Sequence, residues 1–324
     1  MKRHHVFVGH GDNPIPPPAW GAVEHIIWQY SVRLERRGIP THIVNRKKWG
    51  AVLEVLKLSL QGKADVVYCH AEKPVKLLAH LSKWRKFLLI ATTHNPISPD
   101  NIDPGASKAL RRSSHSPYQF VGRPDIEPMI LALSPTAQCA VQFNAVEVEE
   151  FKTTPKGNGK AICLGRIQVR KRQNETALAL QESGLDCDFF GPIMEDVPIS
   201  DELRMRLRGE WSRDNIHNRL CEYSCLILTS RSERQPLVAI EALAAGIPVV
   251  LSPNAAWNLD HSKPYIFVVG SDDQLANAVT NAIAIRDQYS AEIRKYAEEI
   301  FNYEVLVDDY LAQVEKWWSQ EKVH

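Results

Sequence analysis

The chain has 324 residues, 44% of them hydrophobic and 24% charged, with a net charge of +1. These are ordinary globular values that exclude disordered and fibrous classes, and the length suits two domains, each with its own core. No apolar run approaches the roughly 20 residues of a membrane span, and the opening MKRHHVFVGHGD lacks the apolar core of a signal peptide, so a cytoplasmic location is expected.

Charge is unevenly spread: residues 1–150 carry 19 Lys and Arg against 13 Asp and Glu, a balance of +6, which leaves −5 for the remainder. That asymmetry points to an anionic partner for the first half. The six cysteines show no paired metal spacing and mostly sit in apolar runs, so they read as reduced core residues.

A strand over 6–8 runs into a Pro- and Gly-rich loop, and a helix follows from about residue 21, with Val23, Ile26, Ile27, Tyr30 and Leu34 on one stripe. Strands are expected at 41–44, 65–69 and 88–91, alternating with helices at 51–60 and 74–84 as in right-handed crossovers. His70 and His94 follow two of these strands, where open α/β sheets gather ligands. Both helices are flanked by cations and Trp, namely Arg46, Lys47, Lys48 and Trp49, then Lys83, Trp84, Arg85 and Lys86. This suits peripheral contact with an anionic membrane surface; a solvated face with snorkelling lysines suits the same text. Residues 95–128 lose the pattern and read as a long loop covering an acceptor. A strand at 129–133 and a helix opening at Ser134-Pro135 are expected next, with a Lys-, Gly- and Thr-rich linker at 152–160.

The second half opens on a buried strand, AICLG, followed by a run of cations from Arg166 to Arg172. Asp186 and Asp188 flank Cys187 as in metal-dependent transferases, but alternating carboxylates entering an apolar strand face opposite sides, and a metal is not expected. Residues 225–252 read as one strand, loop, helix, strand unit. Pro236 opens the helix, Gly246 can take the left-handed stop, and Pro248 forbids continuation. Its interior is apolar apart from Glu241, and Glu233 precedes it. The amides of Leu237, Val238 and Ala239 point into the same loop, an anion site by their free N–H groups and the helix dipole. Two carboxylates beside an anion hole suit a sugar nucleotide; a solvated Glu233 and a capping Glu241 are the structural alternative. The tail ends in a helix with Tyr310, Leu311, Val314, Trp317 and Trp318 at packing positions.

Glu233, seven residues, then Glu241 and ALAAGIPVV resembles the signature of family-four retaining glycosyltransferases of the GT-B fold. Other segments are similar to the same family: PPPAWGAVE to its N-terminal glycine loop with a following glutamate, THNP to its donor-side histidine, NAVEVEEF to its crossover segment, and Arg166 with Lys171 to its diphosphate clamp. Ala22, Ala145, Glu147 and Arg172 depart from the pattern.

The resemblance implies an α/β protein of two Rossmann-like domains facing across a cleft. An N-terminal acceptor domain would span 1–151 and a donor-nucleotide domain 152–304, with a final helix, 305–324, crossing back to the first. It implies a metal-independent transfer of a sugar from a nucleotide diphosphate to the hydroxyl of a glycan, lipid-linked or small-molecule acceptor, with retained configuration and no bound cofactor. Nucleic acid is not expected as a partner. In the implied roles Glu233 contacts donor-sugar hydroxyls, Glu241 the ribose, Arg166 and Lys171 the diphosphate, and His94 the sugar near the reacting carbon. Gly21, Leu237 and Val238 are further donor-binding candidates. A sugar-nucleotide epimerase of the same fold and a non-catalytic sugar-nucleotide binder are the alternatives.

Overall fold

Most strands here are short apolar segments buried on both sides, as a parallel sheet covered on two faces requires. The computed structural model describes residues 2–17, 21–94, 104–194 and 197–321, and divides the chain into two units, 1–143 with 303–324 and 144–302.

In the first unit β1 (His5–Val8), β2 (Thr41–Val44), β3 (Val66–Cys69), β4 (Leu88–Thr92), β5 (Tyr118–Val121) and β6 (Gln138–Val141) make one parallel sheet in the order β2-β1-β3-β4-β5-β6. Its helices are α1 (Ala22–Arg36), α2 (Lys48–Leu60), α3 (Val75–Arg85), α4 (Pro104–Ser113) and α5 (Glu127–Leu133). The strand order reverses at β1, which puts the switch point, where open α/β sheets gather ligands, at the carboxyl ends of β1 and β3.

Two expectations are corrected in this unit. Residues 104–113 are a helix and 118–121 a central strand, so the described part of 95–128 is not a loop; 95–103 lies outside the described residues. The alternation was hidden because the helix buries only Ala106, Ala109, Leu110 and Ser113, a thin apolar stripe among Ser, Lys and Arg. Residues 129–133, expected as a strand, are helical, and the strand is Gln138–Val141. A short apolar run carries no period of its own, and Pro128 sits in the first turn, where its missing amide is harmless.

In the second unit β7 (Ala161–Leu164), β8 (Cys187–Phe190), β9 (Cys225–Leu228), β10 (Val249–Leu251) and β11 (Ile266–Val268) form a parallel sheet in the order β11-β10-β9-β7-β8. The same winding is used again, with its switch point between β7 and β9. Helices α6 (Gln173–Glu182), α7 (Asp201–Arg206), α8 (Arg213–Arg219), α9 (Leu237–Ala244), α10 (Pro253–Ala256) and α11 (Leu275–Ile300) surround it. Residues 144–151, expected to close the first domain, are held in the second unit: Val146 bridges Asn302, and the Val146 amide donates to the Phe301 carbonyl at 2.9 Å.

The last helix, α12 (Tyr303–Glu321), packs on α1 and β4 of the first unit. Tyr310 Oη lies 2.8 Å from His5 Nδ1 on β1, and Trp317, almost fully buried, sits between the rings of Tyr118 and Phe120 at 5.1 and 4.9 Å. Among the described residues no helix is long and apolar enough to cross a membrane.

Candidate active site

Beside the second unit's switch point, the ends of β7 and β8 meet through two glycines that touch. Gly165 ends β7 and Gly191 ends β8, at φ 138° and 144°, and a Cβ on Gly191 would lie 2.0 Å from the Gly165 carbonyl oxygen. No residue with a side chain fits there. The chain then makes a tight turn over Val169–Lys171 and passes through left-handed Arg172 into α6. This turn sends Lys171 back over the strand end, its Nζ 3.9 Å from where a Gly165 Cβ would stand.

The loop after β9 meets it there. Lys171 Nζ donates to Glu233 Oε1 at 2.7 Å and Arg170 donates to the same oxygen at 3.1 Å. Arg170 also donates to the Ser232 carbonyl at 2.6 Å, and the Arg231 amide donates to the Arg170 carbonyl at 2.8 Å. Glu233 is buried, which opposes its charge, but Lys171 and Arg170, with the hydrogen bond from Lys171, hold its carboxyl below the ordinary range. Arg166 is exposed beside this cluster in sequence, its carbonyl accepting from Gln173 Nε2 at 2.9 Å.

Glu233 leads into α9. Pro236 is the residue before the helix, with no side-chain cap, and the Ala239 amide already donates to the Pro236 carbonyl at 3.2 Å. The expected trio of free amides therefore shrinks to Leu237 and Val238, which are also the only helix residues not fully buried. Gly246 takes the left-handed stop at φ 74°. Arg294 donates to the Ala244 carbonyl at 2.8 Å at the helix's negative end. The loop is fixed from outside by Asn144, whose Nδ2 donates to the Gln235 carbonyl at 3.0 Å, and by Trp257 Nε1, which donates to the Arg234 carbonyl at 2.7 Å.

The buried carboxylate of Glu241 accepts from Arg213 at 2.6 Å, and Arg213 also lies 3.7 Å from Glu147. Arg213 was missed in the sequence, since it lies in a stretch of charged helical text with no motif. Its one signal was the need of a buried Glu241 for a cation. Asp188 is held by Arg208 at 2.9 Å and Tyr223 at 3.0 Å, while Asp186 is exposed, so the two carboxylates serve different surroundings.

In the first unit Gly21 precedes α1 at φ 157°, Ala22 is exposed, and Glu24 is buried in the first turn, accepting from Asn13 Nδ2 at 3.3 Å. His70, at the end of β3, and His94, after β4, come together: His70 Nδ1 and His94 Nε2 are 3.0 Å apart and the rings stack at 5.2 Å and 10°. One of the two nitrogens donates and the other accepts, so each ring sets the tautomer of its neighbour. His94, Gly21 and His70 thus belong to one unit, and Arg166, Lys171, Glu233, Leu237, Val238 and Glu241 to the other.

Residues 194–300 match the family model described as glycosyl transferases group 1. No curated protein sequence matches the chain. Among solved structures it is similar to a sucrose-phosphate synthase from Thermosynechococcus elongatus, at 13% identity over 98% of this chain and 100% of that one, with a TM-score of 0.77. It is also similar to Anabaena Alr3699/HepE in complex with UDP, at 15% identity over 98% and 100%, TM-score 0.73. A third is the lipopolysaccharide outer core galactosyltransferase WaaB, at 16% identity over 98% and 99%, TM-score 0.70. At these identities the likeness shows the fold, which is GT-B, and residues 194–300 form the group 1 glycosyltransferase domain.

Proposed function

We propose that this chain, a glycosyltransferase by its GT-B fold and its group 1 domain, moves a sugar from a nucleoside-diphosphate sugar to an acceptor hydroxyl with retained anomeric configuration and without a metal. The observation that carries this reading is the Lys171, Arg170 and Glu233 cluster at the switch point of the second sheet, beside the open amides of Leu237 and Val238. A diphosphate needs fixed cations and N–H donors as the glycosidic bond breaks and charge collects on the leaving oxygen. Lys171 and Arg166 would serve the diphosphate, Glu233 the sugar hydroxyls, and Glu241 the ribose.

Glu233 and Glu241 are each tied to cations, which suits holding hydroxyls better than attacking carbon. The step is then front-face: the bond from the anomeric carbon to the diphosphate oxygen breaks, the acceptor oxygen bonds the same face, and the leaving phosphate takes the acceptor proton. His94, oriented by His70, would line the sugar. Positioning and fixed charge supply most of the rate.

HepE was solved with UDP and with UDP-glucose, which makes uridine donors the first to test. The acceptor is a glycan, lipid-linked or small-molecule hydroxyl. The six cysteines form no disulfide and five are buried, which fits a reducing cytoplasm. Incubation with UDP-, GDP- and ADP-hexoses and acceptor extracts, followed by proton NMR of the new linkage, tests the reading. It predicts the donor's own anomeric configuration in the product; an inverted linkage, or epimerised donor without transfer, overturns it.

A further inference from the structure

The outer face of α2 is apolar where a surface helix ordinarily turns its charges to water. Ala51, Val55 and Ser59 point inward and are buried, while Trp49, Leu53 and Leu60 are 63%, 64% and 60% exposed. At 3.6 residues per turn these three and Leu56 fall within an arc of about 60°. The helix has only Lys48, Glu54 and Lys57 as charges, and Glu54 is taken by Arg46 at 3.2 Å.

The end of α3 extends this face. Arg85 donates from Nε to Ser59 Oγ at 3.1 Å and from a terminal nitrogen to the Ser59 carbonyl at 2.9 Å, which joins the carboxyl ends of the two helices. Their neighbours Leu60 and Trp84 are both exposed, Trp84 at 67%, the highest value among the large apolar side chains of the described residues. Cations surround the face: segments 46–63 and 75–86 hold nine Lys and Arg against the single carboxylate of Glu54. Lys48 lies over the Trp49 ring at 5.3 Å and Arg85 over Trp84 at 5.4 Å.

Three occupants compete for such a face. Water alone is a poor one, because Lys48 and Arg85 reach over the tryptophan rings and still leave them 63% and 67% exposed. A protein partner is disfavoured by composition, since protein interfaces are depleted in Lys. An anionic bilayer matches both features at once: tryptophan and leucine enter the headgroup boundary and lysines meet lipid phosphates.

We propose that the outer face of α2 and the end of α3 dock on an anionic lipid surface. This goes beyond sugar transfer and does not depend on it. The test is co-sedimentation of the full chain with phosphatidylcholine vesicles with and without phosphatidylglycerol, followed by tryptophan fluorescence. The expected result is binding at least about tenfold tighter to the anionic vesicles, weakened by salt, with a blue-shifted emission. The triple variant Trp49→Ser, Leu53→Ser, Trp84→Ser and the charge variant Lys47→Glu, Lys48→Glu, Lys83→Glu each lose at least about tenfold in affinity. Both keep the wild-type melting temperature, since every altered side chain is exposed. Absence of binding to either vesicle, or binding that both variants retain, overturns the proposal. Concentration-dependent self-association abolished by the triple variant also overturns it and assigns the face to a second copy.

Discussion

Lys171 Nζ lies 2.7 Å from Glu233 Oε1, a bond that ties the loop after β7 to the loop after β9 across the switch point of the second sheet. Because Arg170 shares the carboxylate, Lys171→Ala leaves Glu233 paired and the fold intact. Turnover is expected to fall at least about tenfold in Lys171→Ala and in Glu241→Ala, as loss of a positioned charge does. The double variant Lys171→Ala, Glu233→Gln should lose less than the sum of the single losses, because the two residues share one interaction. Initial rates with a saturating donor measure this, and strictly additive losses would separate the pair.

Gly191→Ala is expected to damage the site more than any other single methyl. Its Cβ would meet the Gly165 carbonyl oxygen at 2.0 Å and the Arg166 amide nitrogen at 3.2 Å, at a φ that side chains avoid. Nucleotide affinity should drop together with the melting temperature, and a crystal structure of the variant should show the loop after β7 displaced. Unchanged affinity would remove this contact from the account.

In the proposed function His70 is a positioning residue for His94. With the nitrogens 3.0 Å apart, His70→Phe keeps a buried ring but removes the hydrogen bond. We expect kcat to fall several-fold with little change in KM for the donor, and His70→Asn, which restores a polar partner, to recover part of it. Equal losses in the two variants would mean that His70 only fills space.

Two groups give the stability a pH dependence of known sign. Burial first, then Arg3 and His4, lower the His5 pKa from 6.5 to about 4, so His5 is neutral when folded. Its contribution is full above 6.5 and is lost as pH falls toward 4, by about 3 kcal/mol. Glu233, with its pKa depressed, stabilises above its ordinary value of 4.5 and loses this as pH falls through the lower folded value. Denaturant midpoints across acid pH should therefore fall in two windows. His5→Gln should flatten the upper one and Glu233→Gln the lower.

Much of this fold was legible. Strands β1 to β4 and β7 to β10 announced themselves as short apolar runs, β5 and β6 did not, and the stretch from Cys225 to Ser252 declared its helix by Pro236 and Gly246. What failed was local: 129–133 is an apolar run without period, and only pairing of Gln138–Val141 with β5 decides which segment is the strand. Spacing carried Glu233 and Glu241, since they lie eight residues apart on one loop and helix. Arg213 and the His70–His94 contact were not legible as pairs, because tertiary folding alone joins residues 28 and 24 positions apart.

The proposed function needs a nucleoside-diphosphate site in the second unit, and thermal unfolding with UDP, GDP and ADP tests it directly. One of the three should raise the wild-type melting temperature, since a ligand at 100 times its dissociation constant stabilises by about 2.7 kcal/mol. Lys171→Ala should lose most of that rise at the same nucleotide concentration. A wild type that none of the three shifts, or a shift that Lys171→Ala leaves unchanged, would contradict the site.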